Sequence, residues 1–103
     1  MITRIVKLTF QPEKITDFIT YFDTIKEKVA GYPRCHGMKL LQDIHQPNVV
    51  YTYSYWEDEK ALDNYRYSEL FGAVWPTIKP WFLEKAEARS VTEYFSSLPV
   101  EVH

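Results

Sequence analysis

The sequence predicts an α+β fold in which helices cover one face of a four-stranded antiparallel sheet. Three observations indicate it. Residues 2–10 have the pattern of a strand, an amphipathic segment follows them, and two β-forming segments flank the turn sequence HQPN. A second helical region and a last strand complete the order strand, helix, strand, strand, helix, strand. That order is the split βαβ, or ferredoxin-like, arrangement.

The first strand and the first helix have the clearest patterns in the chain. The strand, residues 2–10, places most of its large apolar side chains on one face: Ile2, Val6, Leu8 and Phe10. The helix is predicted from apolar residues at spacings of three and four: Ile15, Phe18, Ile19, Phe22, Ile25 and Val29. Gly31 and Pro33 supply the stop signal.

A hairpin is predicted from residues 36–44 and 49–56, which flank the turn at 45–48. The second strand of this hairpin consists of strong strand formers. One of its faces carries three tyrosines: Tyr51, Tyr53 and Tyr55. The other face carries Thr52, Ser54 and Trp56.

The second helical region is predicted to be broken. Asp58 and Ser68 are both suited to the N-cap position of a helix, so two short helices are expected. Pro76 and Pro80 exclude a long regular helix, and we expect Pro76 to limit the second one.

Residues 86–95 are predicted as the last strand. We therefore predict one domain over residues 1–95 and a loosely held tail over residues 96–103.

Composition excludes several classes of protein. Net charge is -2 and no two basic residues are adjacent, which argues against a nucleic-acid module. No apolar run approaches the ~20 residues that a membrane span needs. The one cysteine cannot form an internal disulfide, which indicates a reducing compartment. We therefore expect a cytoplasmic protein, and the charge and the apolar runs predict no nucleic-acid or membrane partner.

Few residues offer metal or nucleophile chemistry. Cys35 and His36 are neighbours in an extended segment and should point to opposite faces, which favours an inert cysteine. His36 and His45 bracket one strand and are interpreted as exposed turn residues. Arg4 and Lys7 are placed to reach an anionic ligand, although surface charge is the commoner role of such residues.

The second face of the sheet is not cleanly polar, since Ile5, Leu41 and Val91 belong to it in the predicted register. An apolar face without helices favours association of two sheets in a dimer.

Three segments together resemble the antibiotic biosynthesis monooxygenase superfamily of dimeric α+β barrels. They are VKLTFQPEK with the helix after it, YPRCHG, and YSYWEDEKALDNYRYSELF. The most specific part runs from Trp56 to Leu62 and is followed by Ser68 and Phe71. The resemblance covers about residues 1–95 and implies a homodimer. The family's PGC turn is Pro33-Arg34-Cys35 in this chain.

The resemblance also indicates which chemistry to expect. Heme-degrading members carry an asparagine, a tryptophan and an iron-ligating histidine where this chain has Val6, Tyr65 and Trp75, which argues against heme degradation. Quinol-type members often carry histidines at the positions of Tyr65 and near Leu70, and both are absent here.

We therefore expect a cofactor-independent monooxygenase for quinols, anthrones or other aromatic or apolar small molecules. Its cavity would lie between sheet and helices, with Tyr65 as the catalytic polar contact and no cofactor or metal. The predicted walls are Val6, Tyr51, Tyr53, Phe71 and Trp75. The alternatives are a non-catalytic dimeric binding module and, third, heme binding without degradation through a ligand such as His36.

Overall fold

The computed structural model describes residues 1–99. It has four strands: β1 (Ile2–Thr9), β2 (Cys35–Gln42), β3 (Val49–Trp56) and β4 (Glu87–Val91). It has three α-helices: α1 (Ile15–Ala30), α2 (Glu59–Arg66) and α3 (Glu69–Ile78). Single 3-10 turns at Pro12–Lys14 and Lys79–Trp81 precede α1 and follow α3.

The sheet has the order β2-β3-β1-β4, and each neighbouring pair is antiparallel. β1 and β3 therefore lie at its centre, which confirms the predicted ferredoxin-like arrangement. Within residues 1–99, no helix is both long and apolar enough to cross a membrane.

The two faces of the sheet follow from the register. Val6 is opposite Thr52 and Ala88, and Arg4 is opposite Ser54 and Ser90. Directly opposed residues share a face, so these six belong to one side, which we call the inner face. Buried Leu8, Val50 and Trp56 also lie there, since they share the same alternation. The helices pack on this side.

The opposite side is the outer face. It carries the apolar residues Ile5, Leu41 and Val91, as the sequence predicts. It also carries the three tyrosines of β3 and the charged residues Lys7, Lys39, Glu87 and Arg89. No helix in the described part of the chain covers it, because α1, α2 and α3 all contribute to the inner-face core.

Side-chain caps begin both short helices, as predicted. Asp58 accepts a hydrogen bond from the Ala61 backbone N–H at 2.8 Å. Ser68 accepts from the Phe71 N–H at 3.2 Å and donates to the Tyr65 carbonyl at 2.6 Å. Ser68 therefore fixes the junction of α2 and α3, the segment that carries Tyr65 and Phe71.

α3 is short, as predicted, but Pro76 does not mark its end. The helix continues to Ile78 with Pro76 inside it. A proline removes one backbone hydrogen bond and crowds the carbonyl four residues earlier. Val74 and Ile78 stay buried on either side of it, and their packing holds the last turn in place.

In the turn before β2, Arg34 occupies a position whose backbone conformation favours glycine. Arg34 has a φ of 68°, in the left-handed region that side chains other than glycine, asparagine and aspartate rarely adopt. Its guanidinium contacts Glu57 at 2.8 Å and Asp58 at 3.5 Å. The hydrogen bond to Glu57 raises the pKa of Arg34. These contacts join the start of β2 to the cap of α2.

The last strand is shorter than predicted, Glu87–Val91 rather than residues 86–95. Val91 pairs with Thr3, next to the first residue of β1, so the pairing partner ends there. Residues 92–99 have no regular structure, and 100–103 lie outside the described residues. The domain boundary at residue 95 and the tail over residues 96–103 stay predictions.

Candidate functional site

A cavity of about 440 Å³ lies between the inner face and the helices. This volume is within the usual range for small-molecule sites, roughly 300–1,000 Å³. Its floor is the sheet, with Arg4, Val6, Leu8, Thr52, Ser54 and Ala88. Its roof is helical, with Phe18 and Phe22 from α1, Leu62 and Tyr65 from α2, and Phe71 and Trp75 from α3.

The structure brings four of the predicted site residues together around this cavity. Val6 lies on the floor, while Tyr65, Phe71 and Trp75 line the roof. Apart from Arg4 and Leu8, the floor side chains are small, and the large rings come from the helices. The cavity exists because short side chains such as Thr52 leave room beneath those rings.

Tyr51 and Tyr53 do not line this cavity, so their predicted place was wrong. They lie opposite Lys7 and Ile5 in the register, on the outer face. Successive residues of a strand point to opposite sides, so Thr52 is the β3 residue whose parity matches that of Val6. The sequence shows this parity only once the pairing register of β1 and β3 is known.

Tyr65 is the junction of the roof. Its ring stacks on Trp56 with centroids 5.0 Å apart, and Trp56 is fully buried. It also makes edge-to-face contacts with the rings of Phe71 at 5.3 Å and Tyr32 at 5.4 Å. These contacts hold the ring in one orientation from three sides.

The Tyr65 hydroxyl is a hydrogen-bond donor rather than a base. Burial, with smaller effects from Cys35, Tyr21 and Tyr32, raises its pKa to about 12. The phenol is therefore neutral at physiological pH and keeps its proton. Among residues 1–99 the hydroxyl has no hydrogen-bond partner, so its donor remains available to a bound molecule.

A chain of aromatic contacts continues along the roof. Phe71 stacks on Trp75 at 5.6 Å with an interplanar angle of 16°, and Trp75 meets Phe82 at 5.4 Å. Together with the contacts of Tyr65, these pairs form an aromatic row: Tyr32, Trp56, Tyr65, Phe71, Trp75 and Phe82. The row joins the two core clusters of the domain, one around Trp56 and one around Phe10.

Two arginines give the cavity its charge. Arg4 lies on β1 and donates a hydrogen bond to the Ser90 hydroxyl at 3.0 Å. Arg66, at the end of α2, lines the same cavity and contacts Asp63 at 3.5 Å. Burial and the nearby Arg66 lower the pKa of Arg4, while Asp63 opposes them.

The sequence predicts an anion-binding role for Arg4 only as the less common alternative, and no role was predicted for Arg66. A cation in the last turn of a helix is ordinarily explained by the helix dipole. The fact that Arg66 immediately follows Tyr65 is a sequence signal, but it has meaning only after Tyr65 is placed in the cavity.

The remaining reactive side chains lie elsewhere. The Cys35 thiol donates to the Gly37 carbonyl at 3.6 Å, and burial raises its pKa, which makes the thiolate scarce. Neither Cys35 nor His36 lines the cavity. Within residues 1–99, no group of three or more histidine, cysteine or acidic side chains is placed to hold a metal ion.

His36 is not the exposed turn residue that the sequence predicts. It lies in β2 beside a bulge at Gly37, whose φ of 127° favours glycine. Its Nε2 is buried 3.9 Å from Glu57 and has no hydrogen-bond partner among residues 1–99. His45 does lie in the exposed turn after β2, as predicted.

Comparisons with known proteins identify the family and the fold. The sequence profile of the family described as antibiotic biosynthesis monooxygenase matches residues 1–75. A crystal structure of an antibiotic biosynthesis monooxygenase superposes with a TM-score of 0.85 at 22% identity, over 90% of this chain and 98% of that one.

Two further solved structures have the same fold. A conserved protein from Methanosarcina mazei Go1 superposes with a TM-score of 0.81 at 22% identity, over 88% of this chain and 91% of its own. Rv0793 from Mycobacterium tuberculosis gives 0.84 at 10% identity, over 94% and 98%. No curated protein sequence matches this chain.

Proposed function

Since this chain belongs to the antibiotic biosynthesis monooxygenase family, we propose that it oxidises a small aromatic molecule of the quinol or anthrone type with molecular oxygen. The reaction would take place in the cavity between the inner face and the helices and would use no cofactor. The observation that carries this proposal is a largely apolar cavity in which one neutral phenol, Tyr65, has an unused hydrogen-bond donor.

The chemistry asks little of the protein. An anthrone-type CH₂ group reacts with one O₂: one oxygen atom becomes the new carbonyl oxygen, and the other leaves as water with the two hydrogens. The electrons for oxygen reduction come from the substrate itself. The protein contributes orientation, exclusion of water and stabilisation of negative charge on the substrate oxygen.

In this proposal Tyr65 supplies that stabilisation. Its hydroxyl would donate to the substrate oxygen, where charge develops as the CH or OH proton passes to solvent water, which returns a proton to the reduced oxygen. With a pKa near 12 it does not accept that proton at neutral pH. Phe71 and Trp75 would hold the substrate ring flat in the roof, and Val6 would support it from the floor.

Oxygen uptake with anthrone or 1,4-dihydroxynaphthalene, measured with a metal chelator present, tests the proposal. We expect turnover above that of heat-denatured protein, and a loss of roughly 10²-fold in Tyr65→Phe because one donor to the oxyanion is removed. Tyr51→Phe removes the same oxygen atom from the outer face and should keep full turnover. Equal rates in Tyr65→Phe and the parent would remove Tyr65 from the mechanism.

A non-catalytic binding module is the second candidate, and one observation favours it. In the described part of the chain, the cavity lining holds no histidine, cysteine, lysine or carboxylate that could act as a base. Binding of anthrone without any oxygen uptake would support this candidate. Heme binding through His36 is not proposed, because His36 lies outside the cavity lining.

We also propose that two copies associate through their outer faces. Leu41 on β2 and Val91 on β4 are about 40% exposed there, and the β3 tyrosines lie between those two strands. Tyr94, Phe95 and Leu98, which follow β4, are at least 74% exposed. A second sheet would cover this apolar surface and complete a barrel.

A further inference from the structure

The floor of the cavity is graded from polar to apolar. The pairing register sets out the rows of the inner face, over which the cavity lies, across β3, β1 and β4. One row contains Ser54, Arg4 and Ser90, while the next contains Thr52, Val6 and Ala88. Leu8 and Val50 follow in the third row. A bound molecule that fills the cavity would therefore meet a charged end and an apolar end.

Two cations converge on the charged end from opposite sides. Arg4 rises from the sheet and Arg66 comes from the last turn of α2. They repel each other and Arg4 is partly desolvated, as the lowered pKa of Arg4 indicates. Asp63 is the one carboxylate that contacts Arg66 in the described part of the chain, so the cluster has two positive charges and one negative.

The donors at this end suit an oxyanion. A guanidinium carries five N–H donors in a planar fork, which matches the two oxygens of a carboxylate. The bond from Nη1 to Ser90 fixes the Arg4 side chain on the floor. An anion placed between the two arginines would relieve their repulsion, and a partly desolvated site strengthens such an ion pair.

We propose that this cavity selects a planar aromatic monoanion, whose carboxylate or enolate oxygens bind Arg4 and Arg66 while its ring lies over Val6 and Ala88. This inference rests on the proposed function for the location of the site and names its substrate class. The ring occupies the apolar rows and meets Phe71 and Trp75 from above. The anionic group provides the orientation that an all-apolar cavity would lack.

Two probes that share the same ring but differ in charge distinguish the contribution of the charge to binding from that of the ring. We compare 2-naphthoate with 2-naphthamide by isothermal titration calorimetry at neutral pH and low salt. The parent protein should bind the naphthoate roughly tenfold more tightly, as expected for one charge-assisted hydrogen bond. Added salt should narrow the difference, since screening weakens the ion pair.

Three variants locate the selectivity. Arg4→Gln should abolish the preference for the naphthoate, and Arg66→Gln should reduce it about threefold, because Arg66 is more exposed. Arg89→Gln removes the same charge from the outer face and should retain the full preference. If Arg4→Gln does not fold by circular dichroism, Arg4→Lys replaces it and should lose several-fold of the preference.

Two results would overturn the inference: equal affinities of the parent for both probes, or an equal loss in Arg89→Gln and Arg4→Gln. The oxygen-uptake assay is independent of this test. Oxygen uptake with anthrone but no preference for the naphthoate would refute this inference alone. A preference for the naphthoate without any uptake would refute the oxidation and leave the anion site standing.

Discussion

The inner and outer faces of the sheet use their side chains in opposite ways. Around the cavity on the inner face the strands contribute short residues such as Thr52 and Ala88, and the rings that line the cavity come from the helical segments above. On the outer face β3 itself carries large rings, and Lys7 of β1 pairs with Glu87 of β4 at 3.9 Å. One face therefore leaves space for a small molecule, while the other presents a broad surface suited to another sheet.

The largest expected effect is a loss of stability on truncating a side chain of the inner core, compared with the same truncation at an exposed site. Phe10 is fully buried and stacks on Phe18 at 4.3 Å, so Phe10→Ala should lower the free energy of unfolding by about 3–5 kcal/mol. Ile44→Ala, at an 88% exposed turn position off both faces, should change it by less than about 0.5 kcal/mol. Urea denaturation measures both, and equal losses would contradict the assigned core.

The second prediction concerns a substitution that disrupts the proposed dimer contact on the outer face. Ile5→Lys places a cation opposite Arg89, at the centre of the proposed dimer contact. We expect the dimer dissociation constant to rise at least roughly 10²-fold, about 3 kcal/mol, with the fold of each copy retained. Light scattering gives the mass and circular dichroism gives the fold.

The matched control for that substitution is Ile44→Lys, which adds the same charge in the exposed turn and should leave the dimer intact. A parent protein that is monomeric at micromolar concentration would refute the proposed association.

The third and smallest effect is a dependence of the protein's stability on pH that arises from Tyr65, on the inner-face side of the sheet. The pKa of Tyr65 is about 12 in the folded protein, against about 10 for an ordinary tyrosine. The folded protein therefore keeps a proton that the unfolded chain loses as pH rises from 10 to 12, and stability falls across that window. The loss reaches about 1.4 kcal/mol at pH 11.

Tyr65→Phe should lack this component, whereas Tyr51→Phe on the outer face should follow the parent protein. Urea denaturation at pH 8 and pH 11 gives the change in the free energy of unfolding for each protein. The effect of alkali on lysines is common to the parent and the variants, so it cancels when these changes are compared. Parallel curves for the parent and Tyr65→Phe would contradict the buried setting of the phenol.

Local signals in the sequence predicted the elements well. β3 begins and ends where its β-branched and aromatic residues do, and α1 has the predicted apolar stripe. The caps at Asp58 and Ser68 were predicted because a cap depends on a few adjacent residues. Alternation also assigned Ile5, Leu41 and Val91 to one face, and the register confirms it.

The site was predicted only in part, because its composition depends on which face the helices cover. Val6, Tyr65, Phe71 and Trp75 meet at the cavity, but the tyrosine face of β3 points away from it. A shift of one residue in the register would move these tyrosines to the other face, and the number of rings in the strand does not indicate which face they occupy. Arg66 was missed since its partner, Arg4, is 62 positions earlier in the chain and meets it only through packing.

The aromatic row along the roof has an optical consequence. Rings held at fixed distances and angles in an asymmetric environment give strong near-ultraviolet circular dichroism, which vanishes when tertiary packing loosens. Trp75 lines the cavity, and Trp56 stacks on Tyr65, which lines it too, so both indoles lie close to the cavity. A molecule that enters beneath the roof would change this signal without any added label.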